Sequence, residues 1–133
     1  MAKETNNVVH LRDYFLASRA RHRRIPVTAK LPNPITGEET EIRLEMWEPT
    51  GKERGLIFNA STVMRKGQDP EVDHAELQVW SIIYCARDPE TGEQLFDASH
   101  HDALLALPAS VLDILARPAL QLLGEDAETA AKN

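Results

Sequence analysis

Between Asp69 and Asp88 apolar residues recur at helical spacing. Val72, Ala75, Val79, Ile82, Ile83 and Ala86 share one side, and Glu71, Asp73, Glu76 and Gln78 lie opposite. This pattern predicts a central core helix, capped by Asp69 with Pro70 at its first position. It is expected to stop at Asp88-Pro89, because the residue before a proline is pushed out of the α region. Glu90-Thr91-Gly92 then reads as a turn that returns Leu95 and Phe96 to the core.

Upstream, Asn6 or Asn7 is positioned to cap a short helix in which Leu11, Tyr14, Phe15 and Ser18 share a face. From Pro26 to Trp47 the period changes from helical to alternating. Val27, Ala29 and Leu31, then Ile42, Leu44 and Met46, mark the inward side of a β-hairpin. Its connection from Pro32 to Gly37 holds two prolines and reads as a mobile loop. A lone hairpin is marginal in water, so the central helix is its expected cover. Thr50 with Glu53 three residues on forms a capping-box signature for the next helix. That helix takes Leu56, Ala60, Val63 and Met64 as its stripe and Gly67 as its left-handed stop.

After Phe96, Ser99 with Asp102 suggests a short helix bearing Leu104, Leu105 and Leu107. Pro108 opens a last helix with a stripe of Val111, Leu112, Leu115, Ala119, Leu122 and Leu123. Pro118 lies inside it, where a lost hydrogen bond costs about 3 kcal/mol, so a kink or break is expected near Arg117. Gly124 ends that helix, and Glu125 to Asn133 reads as a flexible tail. The fold class expected is α+β, mainly α, with an N-terminal helix and β-hairpin packed on a bundle of about four helices. Residues 1–24 read as a basic helix or arm, 25–124 as one globular domain and 125–133 as the tail.

Charge narrows the function. The net charge of −6 disfavours nucleic acid or an anionic membrane as partner of the whole domain. No apolar run is long enough to span a bilayer, and the first residues lack a signal-peptide core, so a cytoplasmic site is expected. A single cysteine, Cys85, fits a reducing compartment and a place in the core. Against the overall charge stands Arg19 to Arg24, with four arginines in six residues. Such a run suits a phosphate-binding arm or an acidic partner, or offsets the negative end of a helix dipole.

The search for catalytic or metal chemistry predicts none. His100-His101 followed by Asp102 is the best cluster, yet neighbours on a helix point about 100° apart and do not converge easily on one ion. His74 lacks a zinc-binding pattern around it. Ser81 and Ser110 lack a nucleophile elbow, and the glycines are scattered among caps and turns. Asp88, Glu90, Glu93 and Asp97 lack the spacing of a calcium loop. No catalytic residue, metal ligand or cofactor is therefore expected, and attention passes to binding. Trp47 on the outward phase of its strand and Trp80 beside the main stripe are candidate anchors for a protein partner. Tyr14, Phe15, Arg19, Arg21 and Arg23 join them as candidate partner-binding residues.

One order of segments carries a resemblance. A helix ending in Ile82-Ile83-Tyr84-Cys85-Ala86-Arg87-Asp88 is followed by Pro89-Glu90-Thr91-Gly92-Glu93-Gln94-Leu95-Phe96. An acidic segment and Leu104-Leu105-Ala106-Leu107-Pro108-Ala109-Ser110-Val111-Leu112 come next. This order resembles the tail assembly chaperones of long-tailed bacteriophages, as does Thr50-Gly51-Lys52-Glu53-Arg54 ahead of the core helix. Pro118 departs from the family pattern, which has an ordinary helix former there.

The resemblance implies a non-catalytic late protein of virion assembly, active in the host cytoplasm and absent from the mature virion. It would bind and solubilise the tape measure protein and help recruit tail tube (major tail) subunits. It also implies self-association and a longer form of the chain made by programmed frameshift. Ala131-Lys132-Asn133 is compatible with a slippery codon string. Two other readings stay open. One is a small nucleic-acid-binding regulator that uses Arg19 to Arg24, and the other is a structural protein of the virion tail or neck.

Overall fold

The structure is a computed structural model that describes residues 2–17 and 22–124, with side chains from residue 8 onward. The described chain mixes helix and small sheets. Its elements are α1 (Ala2–Leu16), β1 (Arg24–Pro32), β2 (Glu39–Trp47), α2 (Gly51–Ser61), β3 (Thr62–Val63), β4 (Glu71–Val72), α3 (His74–Cys85), β5 (Ala86–Arg87), a 3-10 turn (Ala98–His100), α4 (His101–Leu105) and α5 (Ala109–Leu123). The expected tail, Glu125–Asn133, lies outside the described residues, as do Ser18, Arg19 and Arg21.

α3 is the centre of the packing. Leu77, Val79, Ile82 and Cys85 are fully buried, and α5, α2 and α4 all pack against α3. Fully burying one such aliphatic side chain contributes about 1.5–3 kcal/mol. The helix starts later than its periodicity suggests, because Asp73 rather than Asp69 caps it, accepting from the Glu76 N–H at 3.0 Å. Glu71 and Val72 pair instead with Thr62 and Val63 in a two-stranded ribbon. α3 also ends at Cys85, and Ala86–Arg87 leaves as a strand on the far side of β2, giving the sheet order β1-β2-β5.

The hairpin register places Ile25 opposite Met46 and Val27 opposite Leu44. Val27, Leu44 and Met46 are buried, and both α3 and α5 cover the hairpin, where the central helix alone was expected. Its connection, expected as a loop, is a hydrogen-bonded turn. Asn33 Oδ1 accepts from the N–H groups of Ile35 and Thr36, and the Gly37 N–H donates to the Asn33 carbonyl.

The same turn occurs a second time. Asn33-Pro34-Ile35-Thr36-Gly37-Glu38 and Asp88-Pro89-Glu90-Thr91-Gly92-Glu93 share one hydrogen-bond set. In the second copy Asp88 Oδ1 accepts from Glu90 and Thr91, and Gly92 donates to the Asp88 carbonyl. Gly37 and Gly92 hold matching left-handed backbones, at φ 76° and 74°. These N–H donors hold the Asp88 carboxyl below its ordinary value, with the bond from Thr91 the largest cause.

Three other expectations are corrected. α2 has the capping box at Thr50 and Glu53, but it ends at Ser61, well before Gly67. Its buried face is Ile57 and Ser61, while Leu56 and Met64 are exposed. The Ser61 hydroxyl donates to the Ile57 carbonyl at 2.7 Å, which lets a polar residue sit in the core. α5 is unbroken from Ala109 to Leu123 with Pro118 inside it. Ala116, Ala119, Leu120 and Leu123 press on the core there and hold the helix through the missing hydrogen bond. Before α4, Asp97 rather than Ser99 supplies the cap, accepting from the Ser99 N–H at 2.8 Å.

Candidate functional site

Three surfaces stand out. The first is the face of α1. Val8, Leu11 and Phe15 follow helical spacing, and Val9 and Leu16 widen the stripe; Leu11, Phe15 and Leu16 are 51, 66 and 72% exposed. Tyr14, one helical step of three residues from Leu11, is exposed as well and meets Phe15 edge-on at 5.3 Å. The described side chains of this helix are all exposed, so its apolar stripe faces solvent.

The second surface surrounds Trp47 on the outer face of the sheet. Register puts Arg24 directly across from Trp47, and the guanidinium lies 3.9 Å from the ring centroid. Arg87, brought in by β5, lies 5.4 Å from the same ring, and His22 stacks at 6.4 Å. Trp47 is half-buried, and Gly92 abuts the tip of its ring. Arg23, a candidate partner residue, is exposed and bridges to Glu48 at 3.3 Å. Such a surface pair contributes little to stability.

The third surface joins α3 to α4. Trp80 Nε1 donates to Glu76 Oε2 at 3.1 Å, and His101 Nε2 lies 2.6 Å from that same oxygen. His101 Nδ1 lies 2.8 Å from Asp102 Oδ1, and its ring stacks on Trp80 at 5.2 Å. The Asp102 and Glu76 carboxylates raise the His101 pKa above its ordinary value, outweighing the effect of desolvation. His100 turns away, accepting from the Asp97 N–H at Nδ1. The sequence pointed to Trp80 but not to His101 as its partner, since that contact depends on how α4 docks.

Chemistry is sparse. Burial pushes the Cys85 thiol up to about 12, with Glu53 adding to the rise, so thiolate is scarce at neutral pH. Ser81 is buried and donates to the Leu77 carbonyl. Among the described residues no group of histidine, cysteine, aspartate and glutamate side chains is arranged to hold a metal ion. Among them, too, no helix is long and apolar enough to cross a membrane.

The described residues thus define a small mixed helix and sheet protein with a solvent-facing apolar helix and two half-buried tryptophans. Comparison of the chain with protein-family models, curated proteins and solved structures found no match.

Proposed function

We propose that the chain is a non-catalytic assembly chaperone of long-tailed phage. In this reading it binds the tape measure protein in the host cytoplasm, keeps that protein's apolar surface from aggregating and helps recruit tail tube subunits. The observation that carries the proposal is the apolar stripe of α1, which faces solvent while the core closes around α3 without it. Exposed apolar patches on a soluble protein mark interaction surfaces, and an amphipathic helix fits a long helical partner. The order of segments that resembles the tail assembly chaperones supplies the identity of that partner. In the finer architecture proposed, the hairpin packs on a bundle of about four helices, while α1, expected to pack there too, keeps its described side chains exposed.

The nucleic-acid reading is less well supported. Of its arginines, Arg23 pairs with Glu48 and Arg24 covers Trp47, so both already serve contacts within the domain. Pull-down of the tagged chain from cells expressing the neighbouring genes tests the proposal, with intact-mass analysis of what is retained. A very long helical protein should be recovered, and recovery of DNA with the chain instead would overturn the reading.

A further inference from the structure

The outer face of the sheet carries hydrogen-bonding capacity that the fold does not use. Trp47 Nε1 and Arg87 Nε are buried, and neither has a hydrogen-bond partner among the described residues. Both belong to one stack, since Arg87 lies 5.4 Å from the Trp47 ring. An unmet buried donor costs about 1–3 kcal/mol, and native proteins seldom leave two together without a use. Two cations flank them. Among the described residues neither Arg24 nor Arg87 forms an ion pair, because Glu41 is taken by Arg43 and Glu48 by Arg23. Arg87 Nη1 reaches only the Gly92 carbonyl, at 3.4 Å. Glu45 stands directly across from Arg87 on the same face, so the cluster holds two cations and two unmet donors against one carboxylate, and it suits a further anionic acceptor.

The surroundings limit the size of that anion. Arg24 and Arg87 already cover the Trp47 ring, which leaves no open aromatic face for stacking a nucleobase. Glu45, on the outward phase of β2 next to Trp47 and across from Arg87, would repel a chain of negative charges. A lone carboxylate avoids both obstacles, and an arginine fork matches its two oxygens.

We propose that the Trp47 cluster binds a carboxylate presented by an acidic peptide segment of a partner. Arg24, exposed, stays packed over the ring and pairs with one carboxylate oxygen. Arg87 and Trp47 Nε1 then donate to its oxygens. The site stands whether or not the chain is a phage chaperone.

Titration of the full chain with an end-capped peptide that carries one glutamate among glycines, followed by nuclear magnetic resonance of the indole and arginine Nε–H signals, tests this. Trp80→Phe assigns the two indoles. The Trp47 and Arg87 signals should move saturably. Arg87→Gln and the exposed Arg24→Gln should each weaken binding at least about tenfold, as loss of a charge-assisted hydrogen bond would. Lys30→Gln, farther along the same face, should change it less than about twofold. Three results would overturn the proposal: no movement of the Trp47 signal, equal weakening by Lys30→Gln, or tighter binding of inorganic phosphate or a single-stranded oligonucleotide than of the single-glutamate peptide.

Discussion

Gly92 shows how one residue joins the second turn to the sheet. A Cβ at this position would stand 3.0 Å from the tip of the Trp47 ring, and the backbone φ is +74°. Gly37 has the matching φ in the first turn, with nothing within 4 Å of such a Cβ. Gly37→Ala should therefore cost about 1 kcal/mol from backbone conformation alone, and Gly92→Ala about 1 kcal/mol more, read from urea denaturation midpoints. The turn motif itself was legible, because Asn33 to Glu38 and Asp88 to Glu93 repeat nearly residue for residue; reading only the prolines of the first copy suggested looseness. His101 was not legible. Its partner Glu76 is 25 residues away, and only the docking of α4 brings them together. Because its pKa is raised in the folded state, its stabilising effect is fully present below the ordinary value of 6.5 and lost as pH rises through the raised value. His101→Gln should thus cost more stability at about pH 6 than at about pH 9, measured by the same denaturation.

At the scale of elements, caps were easier to read than faces. The Thr50 and Glu53 capping box formed as its spacing implied, since it needs only local contacts. Thr50→Ala should cost about 1 kcal/mol. The face of α2 was misread because Leu56, Ile57, Phe58 and Ala60 crowd several phases, and the buried pair includes a serine. Ile57→Ala should cost about 2–5 kcal/mol, well above the cap, in thermal or urea unfolding. Asp69 was expected to cap α3, and pairing of Glu71 and Val72 with β3 moves the start of the helix to Asp73. Pro118 shows packing overriding propensity. Since α5 is already helical there, Pro118→Ala should raise stability by about 1–3 kcal/mol, seen as a higher denaturation midpoint.

At the scale of the whole molecule, the alternation of the hairpin and the stripe of α5 gave the mixed helix and sheet class, and those contacts lie within single elements. The outer sheet cluster was hidden, because Arg24, Trp47 and Arg87 meet only through strand register across the whole sheet. Sequence named Trp47 but not the arginines that flank it. α1 was legible as a helix but not in its start, since it begins at Ala2 with Asn6 and Asn7 inside it rather than capping it, and its solvent-facing stripe supports the proposed chaperone function, whose partner rests on resemblance. Leu11→Asp with Phe15→Asp should leave stability within about 0.5 kcal/mol of the parent, since both side chains are exposed. The most direct measurement is the soluble yield of the neighbouring tape measure protein when co-expressed with this chain or with that double variant. Tape measure protein should be soluble with the parent chain and aggregate with the variant. Equal solubility with both, or none with either, would contradict the proposed function.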